Sequence, residues 1–154
     1  MQTAEAWVAT PLRQFLDDAR VRVAVLMNAS GQVLGQAGFA RSTDVMSACA
    51  LAAAINATAG ELGRQLEGKP FEGVHVAGRD QQAHLGVAPT PRGPLLLLSV
   101  FDEHTSLGLV QVFFEEFRAR IAKAALAIDA SAPQLAADFE SDLNRNLAAL
   151  FGRT

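Results

Sequence analysis

The sequence predicts an α+β domain in which helices cover both faces of a five-stranded, mostly antiparallel sheet. The chain has 154 residues, of which 50% are hydrophobic and 19% charged, enough for one domain with a substantial core. Two pairs of short strand-like segments flank turn residues, the pattern of hairpins. Residues 94–101 (PLLLLSVF) lack polar alternation, which is typical of a strand covered on both faces.

The N-terminal third predicts one helix and one hairpin. In residues 9–19, Pro11 stands near the helix start, and apolar residues follow at helical spacing. Strands are predicted over 21–28 and 32–39. Between them the turn at 28–31 (NASG) supplies glycine where a positive φ is expected.

A long alanine-rich helix is predicted over residues 44–66. Its predicted buried side consists of Val45, Cys49, Ala52, Ile55, Ala59, Leu62 and Leu66. Its other face carries small residues followed by two charges, namely Ala50, Ala53, Ala54, Ala57, Gly60, Glu61 and Arg64. Such a face lets another helix approach closely, although a helix buried within its own chain gives the same pattern.

The remaining elements are three strands and two helices. The strands are predicted over 71–78, 81–88 and 94–101, and the helices over 107–129 and 134–151, with a break at 131–133 (SAP). We therefore expect a domain over 1–130 and a helical appendage over 131–154. Strand 71–78 is predicted to be a sheet edge that can pair with a copy of itself.

Composition argues against several classes of function. The formal net charge is -3, so the basic excess of a nucleic-acid-binding protein is absent. The single cysteine, Cys49, favours a reducing compartment. The N-terminus lacks a signal-peptide pattern, and the longest uncharged apolar runs are far shorter than a membrane span. These features predict a cytoplasmic protein without membrane insertion.

The sequence predicts no catalytic residue, metal site or cofactor. The motif at 63–70 (GRQLEGKP) resembles a phosphate-binding loop, but Pro70 replaces the required hydroxyl residue and the motif ends a helix instead of starting one. His75 and His84 on neighbouring strands leave a metal pair open, with ordinary strand histidines as the alternative. A small-molecule sensor would need a polar cavity, which the apolar strand at 94–101 disfavours.

Three stretches resemble the roadblock/dynein-light-chain family, and within it the bacterial MglB type. They are VAVLMNASGQVLGQAG, AAAINATAGELGRQLEG and LLLLSVFDEHTSLGLVQVFFEEF, and the resemblance covers about residues 11–127. The terminal helix at 134–151 is also similar to the MglB type. The segment after Gly-Leu-Val departs from the type, because QVFFEE stands where basic residues are common.

The resemblance implies a homodimer that regulates a small Ras-like GTPase of MglA type in bacterial polarity or gliding motility. Two subunits would bind one GTPase and activate it by reshaping its switch regions, without an arginine finger. A roadblock-type scaffold that docks a GTPase without accelerating hydrolysis is the alternative. A cytoplasmic protein enriched at a cell pole is expected.

The resemblance also assigns candidate residues. The GTPase platform would comprise Ala53, Ala54, Ala57, Gly60, Glu61 and Arg64, and the dimer interface Ala50, Phe71, Val74 and Val76. On the terminal helix, Leu135, Phe139, Leu143 and Leu147 would either cover their own domain or enter a groove on the GTPase.

Overall fold

A computed structural model describes the backbone of residues 6–38 and 42–150, with side chains described over 6–38, 44–128 and at Arg145. The element order is α-β-β-α-β-β-β-α. The elements are α1 (Ala6–Ala19), β1 (Val23–Asn28), β2 (Val33–Gly38), α2 (Ser42–Glu67), β3 (Gly73–Ala77), β4 (Gln82–Ala88), β5 (Leu95–Phe101) and α3 (Leu107–Leu150).

The five strands form one sheet in the order β2-β1-β5-β4-β3, and every neighbouring pair is antiparallel. The apolar strand β5 lies at the centre, between β1 and β4, as its lack of alternation predicts. Strand β3 lies at the edge opposite β2, which confirms the prediction of an edge strand.

Helices cover both faces of the sheet, as predicted. On one face α1 and α3 enclose the larger core, whose biggest side chains are Phe15, Phe101 and Phe117. On the other face α2 covers a smaller core that includes Val25, Met27, Val45, Cys49, Ala52, Leu85 and Leu96. The sheet thus separates two distinct surfaces of the molecule.

Helix α3 is continuous over 44 residues, so the predicted break at 131–133 is wrong. Proline lacks one backbone N–H and disturbs one turn, and the alanines and leucines around Pro133 favour the helix on both sides. The predicted helices 107–129 and 134–151 are therefore two parts of one helix. The division into a domain and an appendage stays a prediction, and the side chains of Leu135, Phe139, Leu143 and Leu147 lie outside the described residues.

Candidate functional site

The N-terminal half of α2 is held on the sheet by short apolar side chains. Val45, Cys49 and Ala52 are buried against residues of the central strands. Cys49 is fully buried, and burial raises the pKa of its thiol, so the prediction of a core cysteine is confirmed. This contact fixes the N-terminal half of α2 on the sheet.

The C-terminal half of α2 turns glycines toward the rest of the molecule. Gly63 is buried where the chain returns toward β3, and a β-carbon there would overlap the backbone N of Phe71 and lie 2.6 Å from the carbonyl O of Lys69. Gly60 is also buried, with Pro70 as its near neighbour. The return segment can approach the helix this closely because Gly63 lacks a side chain, whereas Gly60 has room for a β-carbon.

Large apolar side chains consequently lie on the outside of α2. The exposed fractions are 65% for Leu51, 41% for Ile55, 50% for Leu62 and 68% for Leu66. Their spacing of four, seven and four residues places them along one flank of the helix, which we call the apolar flank. The prediction that Ile55, Leu62 and Leu66 are buried is therefore wrong, and Leu51 had not been singled out from the sequence.

The predicted platform residues do not all reach the surface. Ala54, Ala57, Glu61 and Arg64 are exposed, whereas Ala53 is half-buried beside the β1–β2 turn and Gly60 is buried. The Arg64 guanidinium donates to the Glu61 carboxylate at 3.0 Å. A shallow depression of about 490 Å³ lies here, lined by Ala57, Thr58, Glu61, Leu62 and Gln65. Small side chains, a charge pair and a leucine thus share one surface.

The predicted dimer residues lie along the β3 edge and on α2. Val74 is half-buried and packs against the α2-side core. Val76 projects from the same face, because alternate strand residues share a face, and it is 50% exposed. Phe71 is half-buried beside Gly63, which joins the edge to the end of α2, and Ala50 is exposed on α2. Partner binding by these residues stays a prediction.

Helix α2 exposes far more apolar surface than a solvated helix normally does. Among the described residues, the segment Asp44–Glu67 is long and apolar enough to cross a membrane. Only 22% of its most apolar 18-residue stretch is buried within the protein. Its inner side nevertheless packs on the sheet. Contiguous apolar surface of this kind is typical of a binding surface, for a protein or for a membrane.

Two histidines form a cross-strand pair on the opposite face of the sheet. His75 lies directly across from His84 in the β3–β4 register, and its Nε2 lies 2.7 Å from Oε1 of Gln82. His84 is buried, with its ring 5.4 Å from that of Phe114. Within the described part of the chain its Nδ1 has no hydrogen-bond partner, and neither has the hydroxyl of Ser99, its cross-strand neighbour on β5. No group of three potential metal-binding side chains occurs among the described residues.

Acid is expected to destabilise the protein through His84. Burial lowers the pKa of His84 and nearby His75 lowers it further, while Glu115 acts in the opposite direction. The unfolded chain therefore binds the proton more readily, so the free energy of unfolding decreases as pH falls below about 6.5. Urea unfolding at several pH values should show a smaller acid-induced loss in His84→Gln than in wild type. Equal losses would contradict this assignment.

The fold has well-defined relatives among solved structures, although no protein-family model and no curated protein sequence matches the chain. Myxococcus xanthus MglB superposes with a TM-score of 0.69 at 23% identity, over 77% of this chain and 94% of that one. A structure described as MglB with a tetrameric arrangement gives 0.71 at 21% identity, over 81% and 94%. The roadblock/LC7 domain from Streptomyces avermitilis gives 0.56 at 18% identity, over 86% and 98%.

The chain has the roadblock fold. The resemblance predicted from the sequence is thereby confirmed at the level of the fold. The roadblock fold here presents α2 and the β3 edge together, on the face of the sheet opposite α1 and α3.

Proposed function

We propose that the protein is a non-enzymatic regulator of a small Ras-like GTPase of MglA type. The observation that carries the proposal is the exposed apolar α2 beside an open sheet edge, on a fold shared with MglB. The protein acts as a homodimer, and two subunits bind one GTPase. It works in the cytoplasm, with enrichment at a cell pole, in polarity or gliding motility.

In this proposal the two exposed sides of α2 bind different partners. The apolar flank and the β3 edge join two copies, because leucine side chains and unpaired strand groups both need a partner. The exposed small residues Ala54 and Ala57, with the Glu61–Arg64 pair, contact the GTPase. Small side chains let the GTPase backbone approach, and the charge pair fixes its register.

Activation proceeds without an arginine finger in this proposal. Several arginines are engaged within the chain: Arg92 lies over Trp7, Arg118 contacts Glu115, and Arg120 contacts Asp18. Arg79 lies in the exposed β3–β4 turn. The protein instead stabilises one arrangement of the GTPase switch regions, which requires only preferential contacts with that arrangement.

Single-turnover GTP hydrolysis by an MglA-type GTPase of the same organism, with and without the protein, tests the proposal. Acceleration is expected. Binding without acceleration would favour the roadblock-type scaffold, and absence of binding would overturn the proposal. Arg79→Ala should retain the acceleration. If Arg79 were an arginine finger, its loss would instead lower the rate of GTP hydrolysis by a factor of about 10³–10⁵.

Ala57→Arg is expected to weaken this complex strongly. The position is exposed, and a long charged side chain there would hold the GTPase backbone away from α2. We expect the affinity to fall about ten- to hundredfold, since overpacking a close contact costs about 1–3 kcal/mol. Gel filtration with the GTPase bound to a GTP analogue measures the loss, with Glu103→Arg as an exposed control away from α2. Unaltered complex formation by Ala57→Arg would remove this surface from the GTPase contact.

A further inference from the structure

The outward side of α3 carries a second apolar pattern, unrelated to α2. Leu109 is 49% exposed, Val112 58% and Leu126 57%. Between them lie the exposed residues Glu116, Ala119 and Lys123, and Glu116 also lies 3.9 Å from Arg120 of its own helix, a weak surface pair. We call these six exposed residues the α3 outer seam; they follow one another at alternating intervals of three and four, so they form one stripe along the helix.

The seam faces away from the core. The buried side of α3 consists of Val110, Phe114, Phe117, Ile121 and Ala125, which pack against α1 and the sheet. The seam residues lie on the other side of the same helix turns. Residues 109–126 therefore form a two-sided helix whose outer stripe is apolar at both ends and carries one acid and one base near its middle.

The seam is complementary to an antiparallel copy of itself, because acid then meets base and apolar residues meet apolar residues. Consider a second copy of α3, antiparallel to the first and related to it by a two-fold axis at the level between Ala119 and Arg120. Residues of the two copies that are equally far from the axis then lie side by side. Glu116 of each copy then lies level with Lys123 of the other, about 5 Å along the helix from the axis at 1.5 Å per residue. Val112 lies within one residue of the level of the other copy's Leu126. Ala119, at the crossing point, permits close approach of the two helices.

We propose that the α3 outer seam binds the same seam of a second copy, in an antiparallel helix pair. Opposite charges meet twice across the two-fold axis, and apolar residues meet on either side of them. Reversed self-complementarity is what an isologous contact requires. A parallel arrangement would instead place Glu116 on Glu116 and Lys123 on Lys123.

This contact is independent of the proposed function. It lies on the α1 and α3 face of the sheet, whereas the proposed dimer uses α2 and the β3 edge. Two isologous contacts on opposite faces link dimers into tetramers and, at higher concentration, longer assemblies. Loss of the seam contact therefore leaves the dimer intact, and loss of the dimer leaves seam-linked pairs.

Charge reversal at one position tests the contact in the full-length protein. In Glu116→Lys the lysines at 116 and 123 would repel, and in Lys123→Glu the two glutamates would. We expect each variant to require about a tenfold higher concentration for assembly beyond the dimer, because two weak attractions become two repulsions. Sedimentation velocity over a concentration series at low salt measures this. Glu103→Lys, with the same change of charge outside α3, should behave as wild type.

Mixing the two variants distinguishes pairing from damage to the fold. Glu116→Lys carries only lysines at the two positions and Lys123→Glu only glutamates, so the equimolar mixture restores both cross-pairs. Assembly should recover in the mixture, and in the double variant that carries both changes. The seam contact would be overturned if the wild-type protein stayed dimeric at every concentration. It would also be overturned if the mixture assembled beyond the dimer no more readily than either variant alone. A failed GTPase assay would leave this result unaffected.

Discussion

Replacing Leu62 and Leu66 together by glutamate is expected to convert the proposed dimer to a monomer. Both leucines lie on the apolar flank and at least half of each is exposed in the single chain. A symmetric dimer buries the exposed half of four such side chains, two from each copy, which contributes about 3–6 kcal/mol to association. Four carboxylates brought into one apolar contact would reverse that contribution, since an unpaired buried charge is strongly unfavourable.

Light scattering coupled to gel filtration measures the outcome. The recorded mass should fall from about two chains to one, while the circular dichroism spectrum stays unchanged, because neither side chain belongs to the core. Gln14→Glu, at an exposed position of α1 on the other face of the sheet, provides the control and should remain dimeric. If the double variant keeps the dimer mass, the apolar flank does not join two copies.

Gly63→Ala is expected to lower the free energy of unfolding by about 1–3 kcal/mol, the usual cost of overpacking a tight contact. The added methyl group would overlap backbone atoms of Lys69 and Phe71, and backbone atoms cannot rotate away as the end of a side chain can. The return segment would have to move, and with it Phe71 and the start of the β3 edge.

Gly60→Ala is the matched control, one helical turn earlier. A β-carbon there meets Pro70 at 3.7 Å, an ordinary contact. Alanine also favours the helix over glycine by about 1 kcal/mol, so this variant should be neutral or more stable than wild type. Urea unfolding of the two variants compares them directly. Equal stabilities would show that the return segment does not pack against Gly63 as the structure has it.

Most of the fold follows from local patterns in the sequence. The strand predicted over 94–101 is observed as Leu95–Phe101, because four successive leucines between turn residues leave little alternative. The hairpin turn at Asn28 is also local: its Oδ1 accepts the backbone N–H of Ser30 and that of Gln32, both at 3.0 Å. Such interactions span few residues, so a single sequence reveals them.

The orientation of α2 could not be predicted in the same way. Apolar residues occur all around this helix, and periodicity alone favours the leucines as its buried side. The decisive contact is with Phe71 and Lys69 of the return segment, which lie after the helix end. The glycines at 60 and 63, three residues apart, were the available signal for the buried side of this half of the helix. Glycines on one side of a helix are also typical of close packing within a chain. The sheet edge at β3 was predictable, whereas the apolar flank beside it was not.

The single long helix α3 has a mechanical consequence. At 1.5 Å per residue its 44 residues extend about 66 Å, nearly three times the length of a seven-residue strand. Its first part is anchored through Phe114, whose ring lies against buried His84. A force applied near Leu150 would therefore act through one helix on the packing of Phe114 against β4, and Pro133, which lacks a backbone N–H, marks the turn that would bend first.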